Sequence, residues 1–405
     1  MKHLYKVFNE SSSSDFSEVY KQRIHNENVE ILPMAVKPLH HNFEYPIYYL
    51  PTSKIIDEIS NIYKLNQQIM RIFGVLPGIA QNSYIFDCLV AEMQNTNEIE
   101  GVRSSREELA RSVRELNKGS KKKLRFSSMV NSYTKLLSND LDLLESAEDI
   151  RKIYDYVVLE EISAEDRPDG KIFRKDATCI LKKSGTGKEI HRGITPESKI
   201  IDHITTMINF LKSNDYHELI KIAIAHYYFG YIHPFYDGNG RTSRFISSMY
   251  LNDSLSELAA ISLSRGCNKY NKKYLEAFEN TNKVGNRGEM NNFIDTFLEI
   301  LSNSLQDMIA ELKEKLELLN SFNDKIISDS RLDQLDEKYR DMLFILAQNF
   351  YFSEDKGLSI LELKDITNKS EKTIRTILKT LIELEIVDCG GNRPKVYSVS
   401  DLFFD

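Results

Sequence analysis

The sequence is poor in the residues that build unusual scaffolds. Cysteine occurs four times in 405 residues, at Cys88, Cys179, Cys267 and Cys389, with no CxxC pair. Such scatter argues against a zinc site or a disulfide framework and fits a reducing compartment. With 17 glycines and nine prolines, the chain has no collagen-like or low-complexity bias. No run of about 18 uninterrupted apolar residues occurs, so no membrane span and no membrane partner are expected. The first residues, MKHLYKVFNESSSSDFSE, lack the apolar stretch of a secretion signal, and a cytoplasmic location is expected. Positive charge is not in excess either. Lys and Arg number 53 against 60 Asp and Glu, for a net charge of -7. The chain as a whole is therefore no polyanion binder, although one basic face could be. What is present is 41% hydrophobic residues, enough for real cores, over a length that predicts two or three domains.

Hydrophobic spacing predicts a mainly α fold. The Ser-rich NESSSSDFSE reads as a loop or frayed arm. A proline-bearing stretch, ILPMAVKPLHHNFEYPIYYLP, reads as extended. In TSKIIDEISNIYKLNQQIMRIF, Ile55, Ile56, Ile59, Ile62 and Tyr63 recur at helix spacing. A second helix, SYIFDCLVAEMQNTNEIEG, carries Ile85, Phe86, Leu89, Val90 and Met93 on one face, with Ser83 as N-cap and Gly101 as its stop. The one convincing β signal is DATCILKKSGTGKEIHRGI, two short runs flanking SGTG as in a hairpin. HELIKIAIAHYYFGYIH is apolar nearly all round and should be a buried central helix.

Directly after it comes HPFYDGNGRTSR, His233 to Arg244. Gly238 and Gly240 permit close backbone approach and positive φ, and a helix starting near Arg241 would point unpaired N–H groups at an anion. Asn239 can also donate. Arg241 and Arg244, three apart, share a helix face, and guanidinium forks suit phosphate. Asp237 is a hard oxygen ligand of the kind Mg²⁺ shares with phosphates. His233 can act as a base near neutral pH. A lone His or a lone Gly-Asn-Gly is usually structural, and no Walker A lysine follows. Six such positions within twelve residues, after so apolar a helix, point to phosphoryl or nucleotidyl transfer.

This stretch resembles the Fic family signature, His-x-Phe-x-Asp/Glu-Gly-Asn-Gly-Arg-x-x-Arg, at every defined position. The resemblance extends from about Ile31 to Asn303. It implies a Fic-type helical bundle with a β-hairpin flap, and transfer of AMP from ATP to a Tyr, Thr or Ser hydroxyl of a target protein, or of the chain itself, with release of pyrophosphate. His233 would then take the hydroxyl proton, Phe235 anchor the loop, and Asp237 hold Mg²⁺. Gly238, Asn239 and Gly240 would form the anion hole, and Arg241 and Arg244 would take the outer phosphates. Ile190, His191, Arg192 and Gly193 of the flap would line the nucleotide and pair with the target by strand addition. YLEAFENTN would bring Tyr274 and Asn282 near the base. TNEIEG, Thr96 to Gly101, fits the family's inhibitory pattern, which implies that Glu100 pairs with Arg244 within one chain. Relatives that move UMP, phosphate or phosphocholine, or that remove AMP, are the alternatives within the family.

The last 75 or so residues change character. EKYRDMLFILAQNF, SILELKDIT and SEKTIRTILKTLIELEIV read as three helices, followed by a glycine turn between two strand-like pieces, the order of a winged helix-turn-helix. Lys369, Lys372, Arg375 and Lys379 share one face of the last helix, Ile374, Ile377, Leu378 and Leu381 the other, and Arg393 and Lys395 fall in the wing. DNA contact and protein contact both remain open for it. A DNA-binding regulator with a nucleotide-sensing Fic domain is accordingly a further reading, and the family resemblance with the long helix near Leu301 to Leu319 leaves room for a homodimer. The expected division is a flexible arm (1–30), a helical region with the inhibitory helix near 83–101 (31–145), a catalytic core (146–303), a connecting helix (304–330) and the winged helix (331–405).

Overall fold

The computed structural model describes residues 1–117, 119, 124–181, 189–391 and 394–403. It is mainly helical, at 66% helix. Two compact units emerge: Met1–Asn66 with Val90–Gln306, and Gln67–Leu89 with Asp307–Asp405. No division falls near residue 145. The helices Ser127–Leu137 and Asn239–Ser254 share one core, with Tyr133 edge-on to Phe245 at 4.9 Å and Asn252 Nδ2 donating to the Leu136 carbonyl at 3.1 Å.

The first unit is built around the helix Glu218–Ile232, in which thirteen of fifteen residues are buried. A residue such as Lys221 can sit there because its ammonium reaches the Leu211 and Ser213 carbonyls at 2.9 and 2.6 Å. Those acceptors lie at the C-terminal end of the preceding helix, Glu197–Lys212, where carbonyls lack helical partners and the dipole favours a cation. The expected hairpin is present as Cys179–Leu181 paired antiparallel with Glu189–Arg192. Its SGTG loop, residues 184–187, lies outside the described residues.

One expectation for this unit needs correction, and two are refined. The proline-bearing stretch forms a second antiparallel hairpin, Glu30–Val36 with Tyr45–Tyr49, whose register shifts between Ile31 and Ala35. Pro33 falls in that irregularity, where a residue without N–H costs the ladder least. Residues 1–30 are no frayed arm but carry two helices, Leu4–Glu10 and Ser13–Ile24. The serine run misled because Ser12 is an N-cap, accepting from the Asp15 N–H at 3.3 Å. Both helices are tied to Glu289, which is fully buried: Arg23 pairs with its carboxylate, and the Leu4 N–H donates to it at 2.8 Å. In the helix Ser53–Gly74, Ile55 and Ile62 are buried, while Ile56 and Tyr63 are exposed.

The helix Gly78–Glu100 begins five residues before the expected start, so Ser83 lies inside it rather than capping it. It stops where expected. Gly101 has φ 78°, its N–H bonds to the Glu98 carbonyl at 3.0 Å, and the Val102 N–H bonds to the Asn97 carbonyl at 2.9 Å, the pair that closes a Schellman motif.

The second unit contains the helices Glu337–Phe352, Ile360–Thr367 and Glu371–Glu383 and a three-stranded sheet. Leu358–Ser359 and Val387–Gly390 flank the central strand Val396–Val399. Ile374, Ile377, Leu378 and Leu381 are all buried, as their spacing predicts. Arg393 lies outside the described residues. Among the described residues no helix is long and apolar enough to cross a membrane.

Burial pushes the Glu289 carboxyl upward, and Arg23 is the largest opposing influence. Removing the guanidinium leaves a buried carboxylate without its cation, a change that typically costs about 3 kcal/mol or more. We expect Arg23→Ala to lower the urea midpoint by a corresponding amount and to open residues 1–24 to limited proteolysis. An unchanged midpoint would refute the tie.

Candidate active site

The central helix ends at His233, which caps it in the left-handed region (φ 52°, ψ 62°) with its N–H still bonded to the Phe229 carbonyl at 2.9 Å. Pro234 follows and prevents continuation. Phe235 then plunges into the core, stacked on Tyr154 at 3.7 Å and edge-on to Phe173 at 5.5 Å. Asn239 closes the loop on itself: its Oδ1 accepts from the Phe235 N–H at 3.0 Å and its Nδ2 donates to the Phe235 carbonyl at 2.8 Å. Gly238, at φ 82°, is the N-cap of the helix Asn239–Ser254. A Cβ there would press on Val158 and Tyr154 at 3.0 and 3.2 Å.

This corner opens onto a cavity of about 570 Å³ lined by His233, Asp237 to Gly240 and Arg244, by Glu100 and Ile99, by Ile190 and His191 of the hairpin, and by the helix Asn271–Thr281. The helix starts two residues before the expected Arg241. Its first-turn N–H groups have no intrahelical acceptors, which makes the turn an anion cradle. Arg241 is 1% exposed, and its Nε and Nη2 lack hydrogen-bond partners; the nearest carboxylate oxygen, on Asp237, stands 3.8 Å from Nη2. Burial lowers its pKa, against the pull of Asp237 and Glu100. A buried guanidinium short of acceptors, beside a helix start, fits the phosphates of a nucleotide.

Arg244 is equally buried but satisfied. Its Nε donates to Thr96 Oγ1 at 2.8 Å, and its Nη2 donates to the Thr96 carbonyl at 3.0 Å and to Glu100 Oε1 at 2.8 Å. Burial works against its charge, and Glu100 more than restores it, so its pKa rises. The Glu100 carboxylate lies directly over Gly240, where any Cβ would collide with it. The anion cradle thus already holds a carboxylate supplied by the chain.

His233 is half-buried and lines the cavity. Burial, then His191 and Arg174, push its pKa down to about 3, so the ring is neutral at pH 7. Its Nδ1 is buried, which leaves Nε2 for the cavity. Asp237 spends Oδ1 on the Gly238 N–H at 2.6 Å, and about half of its side chain is exposed. Among the described residues no three His, Cys, Asp or Glu side chains converge to hold a metal unaided. One exposed carboxylate beside a phosphate cradle fits Mg²⁺, which is commonly held by one or two carboxylates together with substrate phosphates.

Not every expected residue has its expected surroundings. The Asn239 side chain is consumed by the loop, so only its backbone remains for an anion. Ile190 and His191 reach the cavity, whereas Arg192 turns to Glu189 at 2.7 Å and Gly193 packs beneath His233. Tyr274 is 4% exposed and meets the cavity with one edge, its hydroxyl 2.7 Å from His226 Nε2. Asn282 lines the cavity while its Oδ1 accepts from the Tyr227 hydroxyl at 2.7 Å. Lys272, Glu276 and Glu279, which the sequence did not single out, also line it. Their signal was weak: three charges on an amphipathic helix read as a solvated face.

Residues 144–251 match the model of the Fic/DOC family. Fic domains generally transfer nucleotide or phosphate-containing groups onto proteins. A Fic family protein from Desulfovibrio desulfuricans is similar in structure at 16% identity, over 87% of this chain and 98% of that one, with a TM-score of 0.51. Fic-1 from C. elegans (17% identity, 64% and 74% coverage, TM-score 0.41) and a Fic domain containing signaling protein from Bacteroides thetaiotaomicron (16%, 65% and 98%, 0.42) are more distant. The first likeness bears on the fold alone.

The buried imidazoles dictate a pH dependence. Burial, with lesser contributions from nearby charges, pushes His226 and His233 down to about 3 and His191 to about 4. Between those values and about 6.5 the unfolded chain binds more protons, so the stability they confer is complete above pH 6.5 and is lost as pH falls. Glu92, which burial pushes up to about 7, acts with the opposite sign, its stabilisation fading between about 4.5 and 7. Among the described residues, six imidazoles that burial lowers (His3, His191, His203, His217, His226 and His233) outweigh the three carboxyls that it raises (Glu92, Glu289 and Asp295). The thermal midpoint should fall between pH 6.5 and 4.5, and fall less in His233→Ala; equal slopes would contradict the assignment.

Proposed function

We propose that the protein transfers AMP from ATP to a Tyr, Thr or Ser hydroxyl of a target protein, and that Glu100 restrains it. The observation that carries this reading is the pairing of a neutral, cavity-lining His233 with an anion cradle whose arginine is held by a carboxylate from the chain's own helix. In the reaction the hydroxyl oxygen bonds to the α-phosphorus as the bond to the β-phosphate oxygen breaks. Pyrophosphate leaves, and the hydroxyl proton passes to His233 Nε2. Arg241 and the first-turn N–H groups bind the phosphates. A magnesium ion held by Asp237 would supply further charge for the phosphates.

Arg244 can serve the outermost phosphate only when Glu100 releases it. Charge-assisted hydrogen bonds of this kind contribute roughly 1.5–3 kcal/mol each. With Glu100 in place, ATP binds with its phosphates displaced, and a displacement of about 1 Å can cost on the order of 10²-fold in rate.

The carboxy-terminal unit, with three helices and a sheet in which the last strand lies between the other two, supports the reading of a winged helix. Arg375 and Lys379 of its last helix are each paired with a glutamate one turn away, Glu371 at 3.4 Å and Glu383 at 3.7 Å. Those pairs weaken the positive field that a duplex requires, so the transferase reading is preferred to that of a DNA-binding regulator.

Incubation of wild-type, Glu100→Gly and His233→Ala protein with ATP and Mg²⁺, followed by intact and peptide mass spectrometry, tests the proposal. Glu100→Gly should gain adenylate on the order of 10²-fold faster than wild type, and His233→Ala should gain none. Equal labelling of wild type and Glu100→Gly sinks the restraint; preferential use of UTP would select the alternative donor.

A further inference from the structure

Arg174 is fully buried. Burial draws its pKa down to about 10, and the one group acting the other way is the phenol of Tyr236, with no carboxylate among the described residues that do so. An isolated buried guanidinium is strongly unfavourable unless its N–H groups find acceptors. Here they find four backbone carbonyls. Nε donates to His233 at 2.8 Å, Nη1 to Asp176 at 2.6 Å, and Nη2 to Ile194 at 2.9 Å and to Ile232 at 3.5 Å.

These acceptors lie in two places. Ile232 and His233 end the central helix, where carbonyls lack helical donors and the dipole welcomes a cation. Asp176 and Ile194 flank the two strands of the hairpin. Gly193 lies between: a Cβ there would strike Arg174 Nη2 and come within 3.0 Å of His233 Cβ. His233 itself holds a left-handed conformation that only a surrounding structure can maintain in a non-glycine residue.

We infer that Arg174 is a positioning residue for the transfer proposed above: its guanidinium fixes the His233 backbone and both ends of the hairpin to one another, and so aims the imidazole. This inference rests on the transferase reading for its rate effect but not for its structural effect. Its charge also bears on the base. Burial chiefly favours the neutral form of the ring, His191 and Arg174 add to it, and the Gly230 backbone opposes them; Asp237 and Glu100 are the carboxylates lining the same cavity.

The test uses Glu100→Gly protein as parent, with Arg174→Lys, which keeps the charge and loses the fork, and Arg174→Met, which loses both. Maximal rate, KM for ATP, melting temperature and the NMR titration of His233, assigned by its absence in His233→Ala, are measured on each. Arg174→Lys should lower the maximal rate about 10²-fold, with the KM for ATP changed less than about threefold because the phosphate cradle is untouched. Arg174→Met should in addition move the His233 titration towards about 6.5. A parental rate in Arg174→Lys, a KM that rises in step with the loss of rate, or an unmoved titration in folded Arg174→Met overturns the inference. If Arg174→Met does not fold, the rate and KM of Arg174→Lys decide. If the parent transfers nothing, the transferase reading fails, and the His233 titration alone decides the part played by Arg174.

Discussion

A guanidinium buried to 1% exposure needs acceptors for its N–H groups, and in this chain Arg244 has been given Thr96 and the carboxylate of Glu100. The rest of the site follows from that demand. The pair joins a helix ending at residue 100 to one beginning at residue 239, and lays the carboxylate over Gly240, in the space where a phosphate would be cradled. An anionic ligand seated there must compete with it for the same N–H groups. Under the proposed function, restraint and binding draw on one set of donors, and a signal that moves the helix Gly78–Glu100 by the length of a hydrogen bond would change both.

Three buried arginines surround the corner, and each resolves the cost of burial differently. Arg244 uses a carboxylate, a hydroxyl and a carbonyl from one neighbouring helix. Arg174 uses carbonyls alone, at a helix end and at the ends of a hairpin. Arg241 keeps Nε and Nη2 without acceptors and only a distant Asp237. Together they set a positive potential around a cavity in a chain whose net charge is -7. Burial, with Arg174 among the lesser causes, holds His233 neutral, while the local field favours a polyphosphate, which the overall charge would not suggest.

Much of the corner could be read from the sequence because its geometry is local. His233, Phe235, Asp237, Gly238, Gly240 and Arg241 act through caps, turns and the start of one helix, all within twelve residues. The hairpin, the apolar central helix and the stop at Gly101 were legible for the same reason. The N-terminal helices were not. Their polar serine run resembles a loop until Glu289 supplies the buried partner that holds them, and Glu289 lies 266 residues beyond Arg23. The side chain of Asn239 also misled, since a donor beside two glycines looks free until the loop folds back on it.

The sequence by itself determined the chemistry available: which bases, carboxylates and guanidiniums exist, and how a glycine-hinged turn presents its N–H groups. Tertiary structure alone decided where those charges are spent. Arg244 and Glu100 are 144 residues apart, and Arg174 and His233 are 59 apart. No propensity or period acts over such separations. They meet because packing the central helix brings distant segments against its end, and once water is excluded there, each charge must take whichever partner the packing supplies.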